Sequence, residues 1–339
     1  MAVSYYFTQR DRLISVFNKK CINISPYFYQ KPMQNLNCKK EIKLDDFNII
    51  KCIGLGGFSR VYLVQKKDTA KMFALKLIDK KFIIENNKQV IVQNERNIMV
   101  DIDHPFLLQL EYAFETKSYL GFIMEFCAGG ELFYHLRRIK RMDEDMARFY
   151  FVQICLGIDY LHKKYFYFFL YILQKKLFNR HIIYRDLKPE NILVDIDGNI
   201  RIGDFGLSKP DMDQNGYAYS FCGSPEYMAP EMLLKVGHTY SVDFYCLGAL
   251  LYELVTGLPP FYSHNNEEIY QSILNEDLYF PEEIYLSDEL QDLLTHLLMK
   301  NPQNRLGTYE GMNEIFNHKW LSGINIEEII NSIKQVNVV

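Results

Sequence analysis

The chain has 339 residues, enough for one large domain or two lobes with a sizeable core. Its 48% hydrophobic and 24% charged residues are ordinary for a globular protein, and a net charge of −4 argues against a general nucleic-acid binder, which needs a basic footprint. The seven cysteines are scattered without a CxxC pair, so neither a disulfide framework nor a zinc site is expected and a reducing compartment is favoured.

The N-terminal MAVSYYFTQRDRL carries charges where a signal peptide needs an apolar core, and Ala2 stands where myristoylation needs glycine. The longest apolar run, Tyr165 to Leu173, has nine residues, about half of what a membrane-spanning helix requires. A soluble, cytoplasmic protein with no membrane span is expected, with access to the nucleus left open. Residues 1–46, rich in Asn, Tyr, Lys and Gln and without sustained periodicity, read as an extension. From Phe47, FNIIKCIG, RVYLVQ and KMFALKLID read as three strands joined by short turns. KQVIVQNERNIMV at 88–100 has helical spacing, and LLQLEYAF and YLGFIMEF look like two further strands. Beyond Gly130 the pattern becomes helical. EDMARFYFVQICLGIDYLH has apolar residues at helical intervals, and VDFYCLGALLYELVTG is apolar nearly all round, which predicts a buried helix. A β-rich first part and a helical second part predict an α+β, two-lobed fold with a cleft between the lobes.

The glycine cluster GLGGFSRV lies between two strand-like segments. Glycines let backbone N–H groups approach phosphates where no Cβ intervenes, and Gly54, Gly56 and Gly57 supply that access, while Ser59 takes the place of the last glycine of GxGxxG. Turns need glycine too, so this loop is weak evidence by itself. Lys76, in the apolar strand FALK, needs a partner if buried, and Glu95 on the next helical segment can supply it, holding Lys76 against nucleotide phosphates. YRDLKPEN at 184–191 is more specific. Asp186 is placed as the base for a hydroxyl proton, Lys188 to neutralise a transferred phosphoryl group, and Asn191 as a ligand of Mg²⁺. Thirteen residues later DFG offers Asp204 as a second magnesium ligand, and APE ends the set at Glu231.

With these residues the chain resembles a eukaryotic protein kinase from about 47 to 320. MEFCAGGELFYHLRR, IIYRDLKPEN, DFGLSK, SFCGSPEYMAPE and NRLG…HKW resemble the AGC group, which includes the cyclic-AMP-dependent kinase. The resemblance implies a bilobal protein-kinase fold, with a β-rich N-lobe at 47–126, a mainly helical C-lobe at 127–320 and a short tail at 321–339. It implies ATP and Mg²⁺ as cofactors and Ser/Thr specificity. Met124 would be the gatekeeper, Glu125 and Cys127 would offer hinge backbone groups to adenine, and Val61, Ala74 and Leu193 would sandwich the purine. Glu231 would pair with Arg305, and Asp243 would anchor the catalytic loop. Ser220 would be the activation-loop phosphosite, drawing in Arg185 and Lys209 after an upstream kinase acts. Glu131, Glu190 and Glu253 would read arginines upstream of the target residue, so protein substrates with upstream Arg are the expected partners. Glu131 holding only the ribose, with Glu253 structural, is the blander alternative.

The chain departs from the pattern in places. Tyr184 replaces the His of HRD, as is common in the group. Ile91 stands where the cyclic-AMP-dependent kinase has a histidine that contacts the activation-loop phosphate, and the FxxF tail motif is not seen. Related kinases join YLH to IIYRD with about three residues, whereas here nineteen lie between His162 and Ile182. The extra closure costs only roughly 1–2 kcal/mol, but Tyr165–Arg180 holds seven aromatics in sixteen residues, and YFYFFLYIL within it has no polar face. A partner-docking insertion and a membrane-surface hairpin are alternatives, the latter because Lys175 and Lys176 can meet headgroups. A translated intron is the preferred reading of 165–180, because its composition is that of AT-rich noncoding DNA and its removal leaves YLHKKHIIYRDLKPEN in frame. A pseudokinase scaffold or an inactive product carrying the insertion is the alternative to an active enzyme; a small-molecule kinase is weaker, given the peptide-docking SFCGSPEYMAPE segment.

Overall fold

The computed structural model describes residues 42–172 (backbone alone from 164 to 172), 182–209 and 217–330. The chain forms two compact units, one of residues up to Asp103 with Leu108–Phe126, the other of His104–Leu107 with residues from Cys127 on. The first is sheet-rich and the second mainly helical, so the fold is α+β.

The first unit is one antiparallel sheet of β1 (Phe47–Leu55), β2 (Ser59–Lys66), β3 (Met72–Asp79), β4 (Leu110–Glu115) and β5 (Tyr119–Glu125), in the order β1-β2-β3-β5-β4. Alternation along β3 decides its two faces. Phe73, Leu75 and Leu77 join Phe47, Tyr62, Val64, Phe114 and Ile123 in one core cluster. Ala74, Lys76 and Ile78 face the other way, where Ile78 packs with Phe122, Leu120 and Val92. Val92 lies on helix α2 (Gln89–Asp101), so this contact seats the helix on the sheet. A short helix α1 (Lys80–Glu85) precedes it and was not expected from the sequence. Asp79 caps it, accepting from the N–H groups of Lys81 and Phe82. The expected strand at 107–114 starts later, at Leu110; Leu107 pairs instead with Ile202, in the second unit.

The second unit contains the small sheet of β6 (Gly130–Glu131), β7 (Ile192–Val194) and β8 (Ile200–Ile202) and the helices α3 (Leu132–Ile139), α4 (Glu144–Ile172), α5 (Pro230–Leu233), α6 (Ser241–Thr256), α7 (Asn266–Asn275), α8 (Asp288–Leu297) and α9 (Met312–Phe316). Every residue of α6 from Ser241 to Val255 is buried, as its all-round apolar pattern predicts. Helix α4 runs ten residues past His162, the end expected from the sequence; no Gly or Pro interrupts Lys163–Ile172. The helix therefore carries the first part of the 165–180 segment, and residues 173–180 lie outside the described residues. Among the described residues, no helix is long and apolar enough to cross a membrane.

The Glu231–Arg305 pair closes the base of this unit. Both residues are buried, and the guanidinium meets the carboxylate at 2.6 and 2.9 Å while also donating to the carbonyls of Ser241 and Met299. Arg305→Ala should cost about 3–5 kcal/mol, because it strands a buried carboxylate. Replacing both partners by methionine should cost less than the two single changes added together. Urea unfolding of the four proteins tests both statements through their midpoints.

Candidate active site

In the first unit the strand register gathers the nucleotide candidates on one face. Gly54 pairs with Val61, Val61 with Lys76, Lys76 with Phe122 and Ala74 with Met124. Directly paired residues of antiparallel strands share a face, so Val61, Ala74, Lys76 and Met124 lie together on the side that carries α2. Glu95 follows Val92 by three residues and so shares the sheet-facing side of the helix. Its carboxylate meets Lys76 Nζ at 2.6 Å, with both side chains largely buried. Packing of Ile78 on Val92 thus positions an ion pair one turn away.

The glycine loop closes through a hydrogen bond from Gly56 N–H to the Ser59 carbonyl at 2.8 Å. A Cβ at Gly56 would fall 2.8 Å from Ser59 Oγ, whereas one at Gly57 would meet nothing within 4 Å and would project into open space. Glu125 donates its N–H to Gln109 and accepts from Gln109 N–H through its side chain, which fixes the end of β5.

In the second unit Cys127 is buried and its carbonyl accepts from Gly130 N–H. Leu193 on β7 pairs with Glu131 on β6. The loop Ile183–Asn191 is built around the Asp243 carboxylate of α6, which is fully buried and accepts from Tyr184 N–H (2.9 Å), Arg185 N–H (2.8 Å) and the His162 ring (2.8 Å). Arg185 adopts φ +69°, and the next residue is Asp186. The Asp186 carboxylate accepts from Asn191 Nδ2 at 2.8 Å on one oxygen and from Ser224 Oγ at 3.1 Å on the other. Lys188 Nζ lies 3.2 Å from it and donates to Ser224 Oγ at 2.7 Å. Asn191 Nδ2 also donates to the Asp186 carbonyl, which orients its amide oxygen as the acceptor for a cation. Tyr184, wholly buried, donates its hydroxyl to the Gly203 carbonyl; burial pushes its pKa up and keeps that proton in place. Asp204 follows Gly203 in a left-handed conformation, φ +48°, with an exposed side chain that accepts from Gly206 N–H. Such backbone costs of order 1–3 kcal/mol and is kept where surroundings impose it.

Glu190 and Glu253 lie within each other's electrostatic reach, with Glu226 beside both and Glu131 beside Glu190. Burial raises the pKa of Glu190, and its Oε2 is buried without a hydrogen-bond partner. Burial also pushes Glu253 up to about 7, although the Tyr227 hydroxyl donates to it. Ser220 is exposed, and Arg185 donates its Nε to the Leu207 carbonyl. The sequence reading did not single out Ser224, Glu226 or His162. Each sits within a quoted motif, but only the folded geometry places it on Asp186, Glu253 or Asp243.

In the second unit Asn191 and Asp204 offer an amide oxygen and a carboxylate of the kind magnesium takes, and in the first unit Lys76, braced by Glu95, and the loop open at Gly57 offer groups of the kind phosphates take. Among the described residues no group of three or more His, Cys, Asp or Glu could hold a metal alone, so a divalent ion here would share its coordination with phosphates.

The protein kinase domain model matches residues 47–321, and the chain belongs to that family. Serine/threonine-protein kinase YPK1 of Saccharomyces cerevisiae is 41% identical over 309 residues, covering 91% of this chain and 42% of its own length. Protein kinase 2 of Dictyostelium discoideum is 43% identical over 291 residues, covering 86% and 57%. Serine/threonine-protein kinase Sgk1 of Gallus gallus is 40% identical over 315 residues, covering 91% and 69%. The YPK1 and Sgk1 relatives are kinases of the AGC group. The chain spans less than half of the yeast relative's length.

Asp243→Ala removes one acceptor from two backbone N–H groups and a histidine, each worth about 1–3 kcal/mol when left unsatisfied in the interior. The amides of Tyr184 and Arg185 should then exchange with deuterium at least tenfold faster, while those of β3 and β5 keep their rates. Hydrogen exchange followed by mass spectrometry checks this.

Proposed function

We propose that this chain is an active serine/threonine protein kinase that transfers the γ-phosphoryl group of ATP to hydroxyls of protein substrates with arginine upstream. The observation that carries it is the Asp186 carboxylate, held between Asn191 and Ser224 with Lys188 Nζ 3.2 Å away. Asp186 accepts the proton of the substrate hydroxyl as its oxygen forms the new bond to phosphorus, and ADP leaves. Lys188 offsets the charge of the phosphoryl group in flight, and Lys76, braced by Glu95, holds the phosphates that remain. Asn191 and Asp204 would hold magnesium, which supplies charge neutralisation between phosphates. Val61, Ala74, Met124 and Leu193 would enclose the adenine, with the backbones of Glu125 and Cys127 as its hydrogen-bonding edge. The presence of Lys76, Glu95, Asp186, Lys188, Asn191 and Asp204 favours this reading over a pseudokinase scaffold. Residues 165–180 are read as a translated intron, which sequencing of mature transcripts tests: finding the run there would refute it.

Lys76→Met and Asp204→Ala should each lower turnover to a few per cent or less while the protein still folds. A radiolabelled-phosphate assay on a basic peptide, with and without residues 165–180, measures this. Retained turnover in either variant would remove that residue from the mechanism.

The substrate preference is supported by a group of buried, mutually repelling carboxylates, of which Glu190 feels the Lys188 charge as well. Glu190 has an unpartnered buried oxygen, and Glu253 has its pKa raised to about 7, with Glu226 and Glu131 adjacent. A planar guanidinium suits several carboxylates better than an ammonium does. Arginine binding needs the ionised form of Glu253, which gains population as pH rises through about 7. KM for an arginine peptide should therefore fall from pH 6 to pH 8. The trend should vanish in Glu253→Gln and for a peptide with norleucine in place of arginine. In a peptide library Glu131→Gln should weaken arginine selection more than ATP binding; a flat or acidic preference would overturn the basophilic reading. Ser220, exposed on the activation segment, is the proposed phosphosite for an upstream kinase, with Arg185 and Lys209 as its phosphate partners.

A further inference from the structure

Two buried nitrogens without hydrogen-bond partners belong to one region beneath the activation segment: Arg185 Nη1 and His238 Nε2. Both residues are more than nine-tenths buried. Backbone pairing brings the segment onto them. Ala218 and His238 exchange both of their hydrogen bonds at 2.8 Å, and Ile183 and Lys209 exchange theirs at 3.1 and 2.9 Å. Gly237, at φ +93°, lets the Tyr219 ring lie so close that a Cβ there would sit 2.9 Å from it. On the far side of Ser220, the Cys222 thiol feels the charges of both Arg185 and Lys209. Ser220 therefore sits between an anchor on His238 and a residue within the field of Arg185 and Lys209.

We propose that His238 is the third nitrogen donor, with Arg185 and Lys209, of a phosphate site for Ser220, and that its ring takes up a proton from solvent when the phosphate arrives. The inference rests on Ser220 being phosphorylated, as proposed above. Burial, followed by the nearby Arg185 charge, holds His238 down at about 4, so the ring is neutral at physiological pH while the serine is unmodified. Lys209 opposes protonation as well, whereas Glu231 and Asp243 favour it. Those two carboxylates are committed to Arg305 and to the loop N–H groups, which limits what they offer the ring. A phosphoserine brings about −1.5 to −2 charges and three acceptor oxygens, reversing the balance that keeps the ring neutral. The unsatisfied Arg185 Nη1 donor and the unpartnered His238 ring nitrogen, once protonated, gain an acceptor together, and desolvation strengthens both contacts.

The test uses the full chain phosphorylated at Ser220. The phosphoserine is titrated by phosphorus NMR and the His238 ring by nitrogen NMR, in the wild type, His238→Gln and Lys209→Gln. In the wild type the phosphate should titrate below its ordinary value of about 6, and each substitution should move it back toward that value. His238 should rise from about 4 into the ordinary histidine range on phosphorylation. If Lys209→Gln moves the phosphate and His238→Gln does not, the phosphosite stands and His238 has no part in it. If neither moves it, the phosphosite reading falls and the proposal with it. Should His238→Gln fail to fold, the wild-type ring decides alone: a ring that titrates at the same pH with and without the phosphate overturns the proposal.

Discussion

The Asp243 carboxylate is the constraint on which the loop Ile183–Asn191, with the residues proposed for catalysis, depends. A carboxylate that is fully buried in a mostly apolar helix must be matched by donors, since an unpaired charge there would cost several kcal/mol. Its donors are two consecutive backbone N–H groups and the His162 ring. Consecutive N–H groups aimed at one carboxylate belong to a turned backbone, and Arg185 accordingly sits at φ +69°. That turn sends Asp186 toward Asn191 and Lys188 and leaves the Arg185 side chain beneath the activation segment. The position of the Asp186 carboxylate is therefore inherited from the buried helix α6.

Much of this was legible in the sequence, for reasons that can be traced to particular residues. Alternation along FALKLID places Lys76 on the face opposite Leu75 and Leu77, and the three-residue step from Val92 to Glu95 predicts which side of α2 meets it. The all-round apolar pattern of α6 foretells burial, so Asp243 within it is conspicuous. Other features were not legible. Helix α1 is short and depends on the Asp79 cap, a signal that a strand reading of KMFALKLID absorbs. Helix α4 continues to Ile172 because no Gly or Pro in the local sequence stops it. Leu107 pairs with Ile202, a partner almost a hundred residues away. Ser224 and His238 look like an ordinary serine and histidine until tertiary contacts define their neighbours.

The electrostatic layout of the second unit separates two kinds of unsatisfied charge. Glu190 and Glu253 are carboxylates whose burial raises their pKa and whose acidic neighbours raise it further. Around Arg185 the opposite holds: burial lowers the pKa of the guanidinium, and its charge lowers that of His238. Each region stores an electrostatic cost that a ligand of the opposite sign would relieve, so a cationic peptide suits one and an anionic phosphate the other.

Ser224 joins the two. It donates to Asp186, accepts from Lys188, and belongs to the segment that leads from Ser220 through Cys222 and Gly223. Gly223, at φ +109°, lies so close to the catalytic loop that a Cβ there would come within 2.9 Å of the Arg185 carbonyl. The segment is thus fitted to the loop backbone at one residue and to the Asp186 carboxylate at the next. Displacing the segment would remove one hydrogen bond from Asp186 and one acceptor from Lys188 together. By this geometry the placement of Cys222–Ser224 and the hydrogen bonding of Asp186, the proposed base, belong to a single structural state.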